Sequence, residues 1–191
     1  PMRCIQYSVA SQYGTHVDVP LHFWGDGRDM SKITVKELVY PLVVVDKSKE
    51  CAENAEFTMT VADLEKWESE NGRIPEGAFV AFRSDWHKKS NLDNPDESGN
   101  PHYPGWSVDA IKWLVEERNI GAIGHEPADT DPSYVTTRED AYPYPGEQYI
   151  LETDRIQIEV MRNLDQVPAV GAMIVCAFPK LKDGTGFPAR C

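Results

Sequence analysis

The chain has no apolar run close to the 18 or so residues that would span a bilayer, so no membrane partner is expected. It also lacks a basic surplus. Its 19 Lys and Arg stand against 31 Asp and Glu, a net charge of -12, whereas a nucleic-acid surface needs a basic stripe. Cysteine is sparse. Cys4, Cys51, Cys176 and Cys191 form no C-x-x-C pair and no zinc-ribbon spacing, which removes thiolate metal sites and any need for an oxidising compartment. Internal repeats are absent too. What remains is ordinary globular material, 41% hydrophobic and 26% charged, in 191 residues. That length predicts a single domain over 1–191 with a sizeable core. Such a chain is expected to be cytoplasmic and to work on a small molecule. It begins at Pro1 rather than Met, so its amino terminus is expected to be incomplete.

The elements follow from periodicity and punctuation. Ile5, Tyr7 and Val9 alternate with polar residues and predict a first strand within residues 1–10. The β-branched run 42–46 predicts a buried strand, and 78–83 another. Thr60 with Asp63 makes a capping-box-like start for a helix that Gly72 stops. Ser107 caps a second helix with Ile111, Leu114 and Val115 on its apolar side. Residues 121–124 form a short strand that delivers His125 and Glu126, and 156–160 and 173–178 are further strands. Two polar stretches, 84–105 and 130–148, read as loops, the first long enough to act as a lid. Strands alternating with helices predict a mixed α/β fold.

The chemistry concentrates in Gly14-Thr15-His16-Val17-Asp18-Val19-Pro20-Leu21-His22-Phe23. Two of only five histidines and a carboxylate fall within seven residues, spaced His-x-Asp-x-x-x-His. Imidazole and carboxylate are the donors that zinc and manganese accept. Fully extended at about 3.3 Å per residue, His16 and His22 would lie roughly 20 Å apart, too far for one ion. The chain must bend between them, and Pro20 is placed to make it. Gly14 permits a positive φ just before the first ligand. A divalent ion held here would acidify a bound water and polarise a carbonyl, which points to metal-dependent hydrolysis.

This run, with Tyr103-Pro104-Gly105, Gly124 to Asp131, Glu159 followed by Asn163-Leu164-Asp165, Phe178-Pro179 and Gly184 to Arg190, resembles the cyclase-like metal hydrolases. That family includes bacterial kynurenine formamidase and isatin hydrolase. The resemblance implies a swivelling β/β/α domain, a mixed sheet with flanking helices, and a homodimer or tetramer. It implies one or two divalent ions, zinc or manganese, and hydrolysis of a C–N bond in a small amide, formamide or cyclic amide. It assigns His16, Asp18 and His22 as metal ligands and Glu159 as a ligand or acid/base. A second-site histidine of the family corresponds here to Glu147, itself an adequate oxygen ligand, and a histidine four residues before His16 corresponds to Gln12.

The remaining candidates come from the residues themselves. Glu159 shares a strand face with Gln157, opposite Ile156 and Ile158, where it can work with the metal site as a catalytic carboxylate. His125, at a strand end, is a candidate catalytic base. Phe23, Trp24 and Trp86 are candidate walls of a substrate pocket, while Trp67 and Trp113 are assigned to packing. Other readings keep the metal but change the reaction, to lactone opening or cyclisation with dehydration, or keep only metal and metabolite binding without turnover.

Overall fold

Residues 2–191 are described by a computed structural model. In chain order it contains β1 (His16–Asp18), β2 (Val39–Asp46), α1 (Ser48–Glu53), β3 (Thr58–Met59), α2 (Val61–Asn71), β4 (Phe79–Arg83) and β5 (Gly105–Trp106). There follow α3 (Val108–Glu116), β6 (Ala122–His125), α4 (Ser133–Thr136), α5 (Pro145–Glu152), β7 (Ile156–Glu159), β8 (Ala172–Val175) and β9 (Gly186–Pro188). Seven strands form one sheet in the order β8-β2-β4-β6-β7-β1-β9, and β3 pairs with β5 in a separate ribbon.

The centre of the sheet is parallel, β2 to β4 to β6 to β7. The flanks are antiparallel: β8 on β2, and β1 between β7 and β9. Parallel strands covered on both faces lose the polar alternation of half-exposed strands, which is why 42–45 and 79–82 read as continuous apolar runs. Their side chains divide by parity. Val43, Val45, Val80, Phe82 and Ile123 pack against Leu64 and Trp67 of α2, Ile111 and Leu114 of α3, and Ile150 and Leu151 of α5. Leu42, Val44, Phe79, Ala81 and Ala122 face the other way and meet Val17, Ile158 and Ile174 inside the curl of the sheet. Each large side chain buried in this way contributes about 1.5–3 kcal/mol.

Both capped helices form as their sequences predict. Thr60 accepts from the Asp63 backbone while Asp63 reaches back to the Thr60 N–H, and Gly72 ends the helix at φ 89°. Ser107 accepts from the Ala110 N–H. Two expectations need correction. Residues 2–10 form no strand and are exposed, because no sheet edge lies alongside to accept their alternating face. Residues 130–148 are not a surface loop: Thr130, Asp131 and Ser133 are buried, and Pro145 occupies the first turn of α5.

The start of the stretch after β4, residues 84–87, is held from below. The buried Glu126 carboxylate accepts from the Ser84 and Trp86 backbone N–H groups at 3.1 and 2.9 Å, the Ser84 hydroxyl at 3.2 Å and His87 Nδ1 at 2.8 Å. Glu126→Ala would strand these donors in a dry site, and is expected to cost about 3–5 kcal/mol of unfolding free energy. A urea midpoint unchanged from the parent would show that the network carries no stability.

Candidate metal centre

The antiparallel register of β1 builds the site. His16 lies opposite Glu159 and Asp18 opposite Gln157, so all four side chains share one face of the sheet. On the other flank Asp18 lies opposite Gly186. A Cβ at Gly186 would sit 2.4 Å from Gln12 Nε2 and 3.0 Å from Asp18 Oδ1, so only glycine lets the carboxylate lie down there. Gly14 takes φ +66° immediately before the motif. Directly after Asp18 the strand ends, and Pro20–His22 form a 3-10 turn that folds His22 back over the carboxylate. The bend demanded by the spacing is therefore present at Pro20.

His16, Asp18 and Glu159 bring one ligand atom each to within 4.8 Å of one another. His16 Nε2 lies 3.3 Å from Asp18 Oδ2 and 3.4 Å from Glu159 Oε2. Its other nitrogen, Nδ1, is 2.9 Å from the Gly14 carbonyl, a contact that makes Nδ1 the donor and leaves the Nε2 lone pair aimed at two carboxylates. Only a proton or a metal ion makes that arrangement favourable. Without the ion, burial opposes charge on His16, but its hydrogen bonds to Asp18 and Glu159 outweigh it and raise the pKa to about 10.

A second, wider pair closes the open side. His22 Nε2 is 3.8 Å from Asp18 Oδ1 and 3.9 Å from Glu147 Oε1, and its side chain remains 30% exposed. Glu147 stands on the first turn of α5, in a helix rather than the expected loop. Asp131 sets its place by accepting from the Gly146 and Glu147 N–H groups at 2.9 and 3.1 Å. Burial, and then the charges of Glu159, Asp18, Asp129 and Asp131, push the Glu147 carboxyl up to about 10. Among the described residues no Lys or Arg pairs with Asp18, Glu147 or Glu159. Three buried carboxyls whose only basic neighbours are imidazoles are a donor set that a divalent cation fits.

Around this cluster lies a supporting shell. Gln157 Nε2 reaches Asp18 Oδ2, Glu147 Oε1 and Glu159 Oε1 at 3.3, 3.0 and 3.1 Å, and its oxygen accepts from Thr130 at 2.7 Å. His125 Nε2 contacts Glu159 Oε1 at 3.2 Å, and with His16 it overcomes the effect of burial to lower the Glu159 pKa to about 2. Val160, next along the chain, adopts φ 54°, a conformation that strains a β-branched residue, and its carbonyl accepts from Thr15 at 2.6 Å.

A cavity of about 350 Å³ opens over the cluster, lined by His16, His22, Glu147 and Glu159 below and by Phe23, Asp129 and Tyr144 around the rim. Phe23 and Tyr144 meet edge to face with centroids 5.8 Å apart. Three expectations change here. His125, expected as a catalytic base, is fully buried, contacts Glu159 and lies outside the cavity lining. Trp86 is buried with its indole donating to the Leu92 carbonyl, and Trp24 also lies outside the lining. Tyr144, Asp129, Thr130 and Gln157 were not singled out as site residues from sequence. Gln157 had a visible signal in its place two residues before Glu159 on one strand face.

Comparison with known proteins places this geometry. An isatin hydrolase of Roseibium aggregatum is 35% identical over 186 residues, spanning 93% of this chain and 69% of that protein. Among solved structures, isatin hydrolase A from Labrenzia aggregata superposes with a TM-score of 0.87 at 39% identity, covering 95% of this chain and 72% of that one. Isatin hydrolase A from Ralstonia solanacearum gives 0.89 at 34% identity, covering 97% and 72%. Residues 3–132 match the Cyclase family model, described as "Putative cyclase". The curled mixed sheet, the His-Asp-Glu cluster on β1 and β7, and these matches together place the chain in the cyclase family.

Proposed function

We propose that the chain is a metal-dependent hydrolase that opens the C–N bond of a small cyclic amide fused to an aromatic ring. The observation that carries this reading is the convergence of His16 Nε2, Asp18 Oδ2 and Glu159 Oε2 beneath an aromatic-rimmed cavity. The similarity to isatin hydrolases supports the substrate class. His16, Asp18 and Glu159 would hold a divalent ion, with Glu147 beside them. The oxygen-rich set suits manganese as well as zinc.

When bound, the ion supplies electrophilic activation of the amide carbonyl and a nucleophilic water at neutral pH. The protein's own groups do the rest. Phe23 and Tyr144, packed edge to face, would form one aromatic wall against the substrate ring at the cavity mouth and exclude bulk water. His22, expected as a metal ligand, lies outside the His16–Asp18–Glu159 convergence and stays partly exposed; its proposed role here is instead to carry a proton to the departing nitrogen. His125 and Gln157 hold the carboxylates in place from behind. We further propose an oligomeric state of two or four copies and a cytoplasmic location. No helix of the described chain is long and apolar enough to cross a membrane.

The test is a panel of isatin, a formamide, a cyclic imide and a lactone, offered to chelated and to manganese- or zinc-loaded protein. Ring-opened acid from the cyclic amide, seen by liquid chromatography only after metal loading, is the expected result. Turnover by chelated protein, or product from the lactone alone, would overturn the reading.

A further inference from the structure

The curl of the sheet brings its two outer strands together, and a pair of thiols meets at the seam. Strands β8 and β9 are the two ends of the seven-stranded order. Just beyond them Ala177 and Arg190 form an antiparallel bridge and exchange both backbone hydrogen bonds, each 2.9 Å. In an antiparallel ladder, a pair that exchanges both bonds is flanked by pairs that exchange none, with Cα atoms about 4.5 Å apart. Cys176 and Cys191 occupy that flanking position, one residue before Ala177 and one after Arg190. Ladder geometry at that position sets side chains on the same face, and its Cα spacing falls within the roughly 4.4–6.8 Å that disulfides span.

The two thiols are not equivalent. Cys176 is completely buried in the inner core. Cys191 is exposed, at the edge of a cavity of about 530 Å³ between β8 and the turn after β7. The interaction between the two sulfurs pushes the Cys176 thiol up and the Cys191 thiol down. Cys51 lies in the other core cluster, and Cys4 in the exposed amino-terminal stretch.

We infer that Cys176 and Cys191 are a redox pair that closes the seam of the sheet as a disulfide, with a low-molecular-weight disulfide as the oxidant. The Cys191 thiolate attacks one sulfur of the oxidant, breaking its S–S bond, and the departing thiolate takes up the proton that Cys191 lost. The Cys176 sulfur then attacks Cys191 in the mixed disulfide and displaces the second small thiolate, which takes up the Cys176 proton. Two protein thiols are oxidised and one small disulfide is reduced to two thiols. The bond ties β8 to the segment that flanks β1, where Val19 donates to Thr185 and Ala189 to Thr15 at 3.1 and 2.8 Å.

The experiment treats the folded chain with oxidised glutathione, blocks free thiols with iodoacetamide and maps unreduced peptides by mass spectrometry. The expected product is one linked peptide pair joining Cys176 to Cys191, two hydrogens lighter than its reduced parts and released by dithiothreitol. Cys176→Ser should stop at glutathione on Cys191. Cys191→Ser should give no cross-link and should melt with the reduced parent, which separates lost chemistry from lost folding. Glutathione on Cys191 of the parent chain with Cys176 still reduced, a link between two copies through Cys191, or no oxidation at all would each overturn the pairing.

Discussion

His16→Ala is expected to yield a folded protein that retains less than roughly a tenth of the parent's bound metal and loses about 10²–10³-fold in kcat/KM on a cyclic amide. His16 supplies the nitrogen toward which Asp18 and Glu159 converge, and the Gly14 carbonyl fixes its ring. His22→Ala should behave differently. Its nitrogen stands 3.8 Å or more from the nearest carboxylate oxygens and its ring opens to the cavity. That variant is expected to keep most of the metal while kcat falls by a similar factor. Metal content by mass spectrometry, set beside kcat and KM for both variants, makes the distinction. Full metal occupancy in His16→Ala would sink the ligand assignment, and metal loss in His22→Ala equal to that in His16→Ala would sink the division of roles.

Part of this site was legible in the chain and part was not, for physical reasons. The motif on β1 is local: ligand chemistry, spacing and Pro20 all lie within ten residues, and bond geometry alone demands the bend seen at 20–22. Likewise the caps at Thr60 and Ser107 are short-range hydrogen bonds that sequence encodes directly. By contrast, Thr130 joins the site through a buried turn, and Gln157, visible beside Glu159 on one strand face, meets Asp18 only through the β1–β7 register, a long-range pairing that no local pattern carries. Glu147 looked like a loop residue because prolines surround it. Pro145 in fact begins α5, and the buried Asp131 anchors that start. Trp86 was misplaced for the complementary reason: an aromatic in a polar stretch reads as a pocket wall, yet Glu126 pulls its backbone inward and the indole finds a carbonyl partner. In the same way, alternation at 2–10 records a strand pattern with no neighbouring strand to pair with it.

Removing the ion should reverse the pH dependence of stability. In the metal-free fold Glu147 holds its proton up to about 10 against 4.5 for an ordinary glutamate, and His16 up to about 10 against 6.5. Both groups bind protons more tightly folded than unfolded. The stability they contribute is therefore complete below pH 4.5 and 6.5 respectively, and is lost as pH climbs toward 10. Glu159, lowered to about 2, acts in the opposite sense, but its contribution is complete above pH 4.5 and lost only in acid. Chelated protein is thus expected to melt at progressively lower temperature from pH 6 to 9. A divalent ion replaces the protons on Glu147 and His16, so loading at pH 7 should release protons and tighten as pH rises. At 1,000 times its Kd the ion adds roughly 4 kcal/mol, which for a chain of this length raises the melting midpoint by roughly 8–16 °C. Glu147→Gln, neutral at every pH, should flatten the alkaline part of the chelated profile and weaken metal binding together. Scanning calorimetry of the four states across pH 6–9 decides it: a chelated parent whose midpoint is level or rising over that range would mean that the buried carboxyls are compensated by something other than an ion.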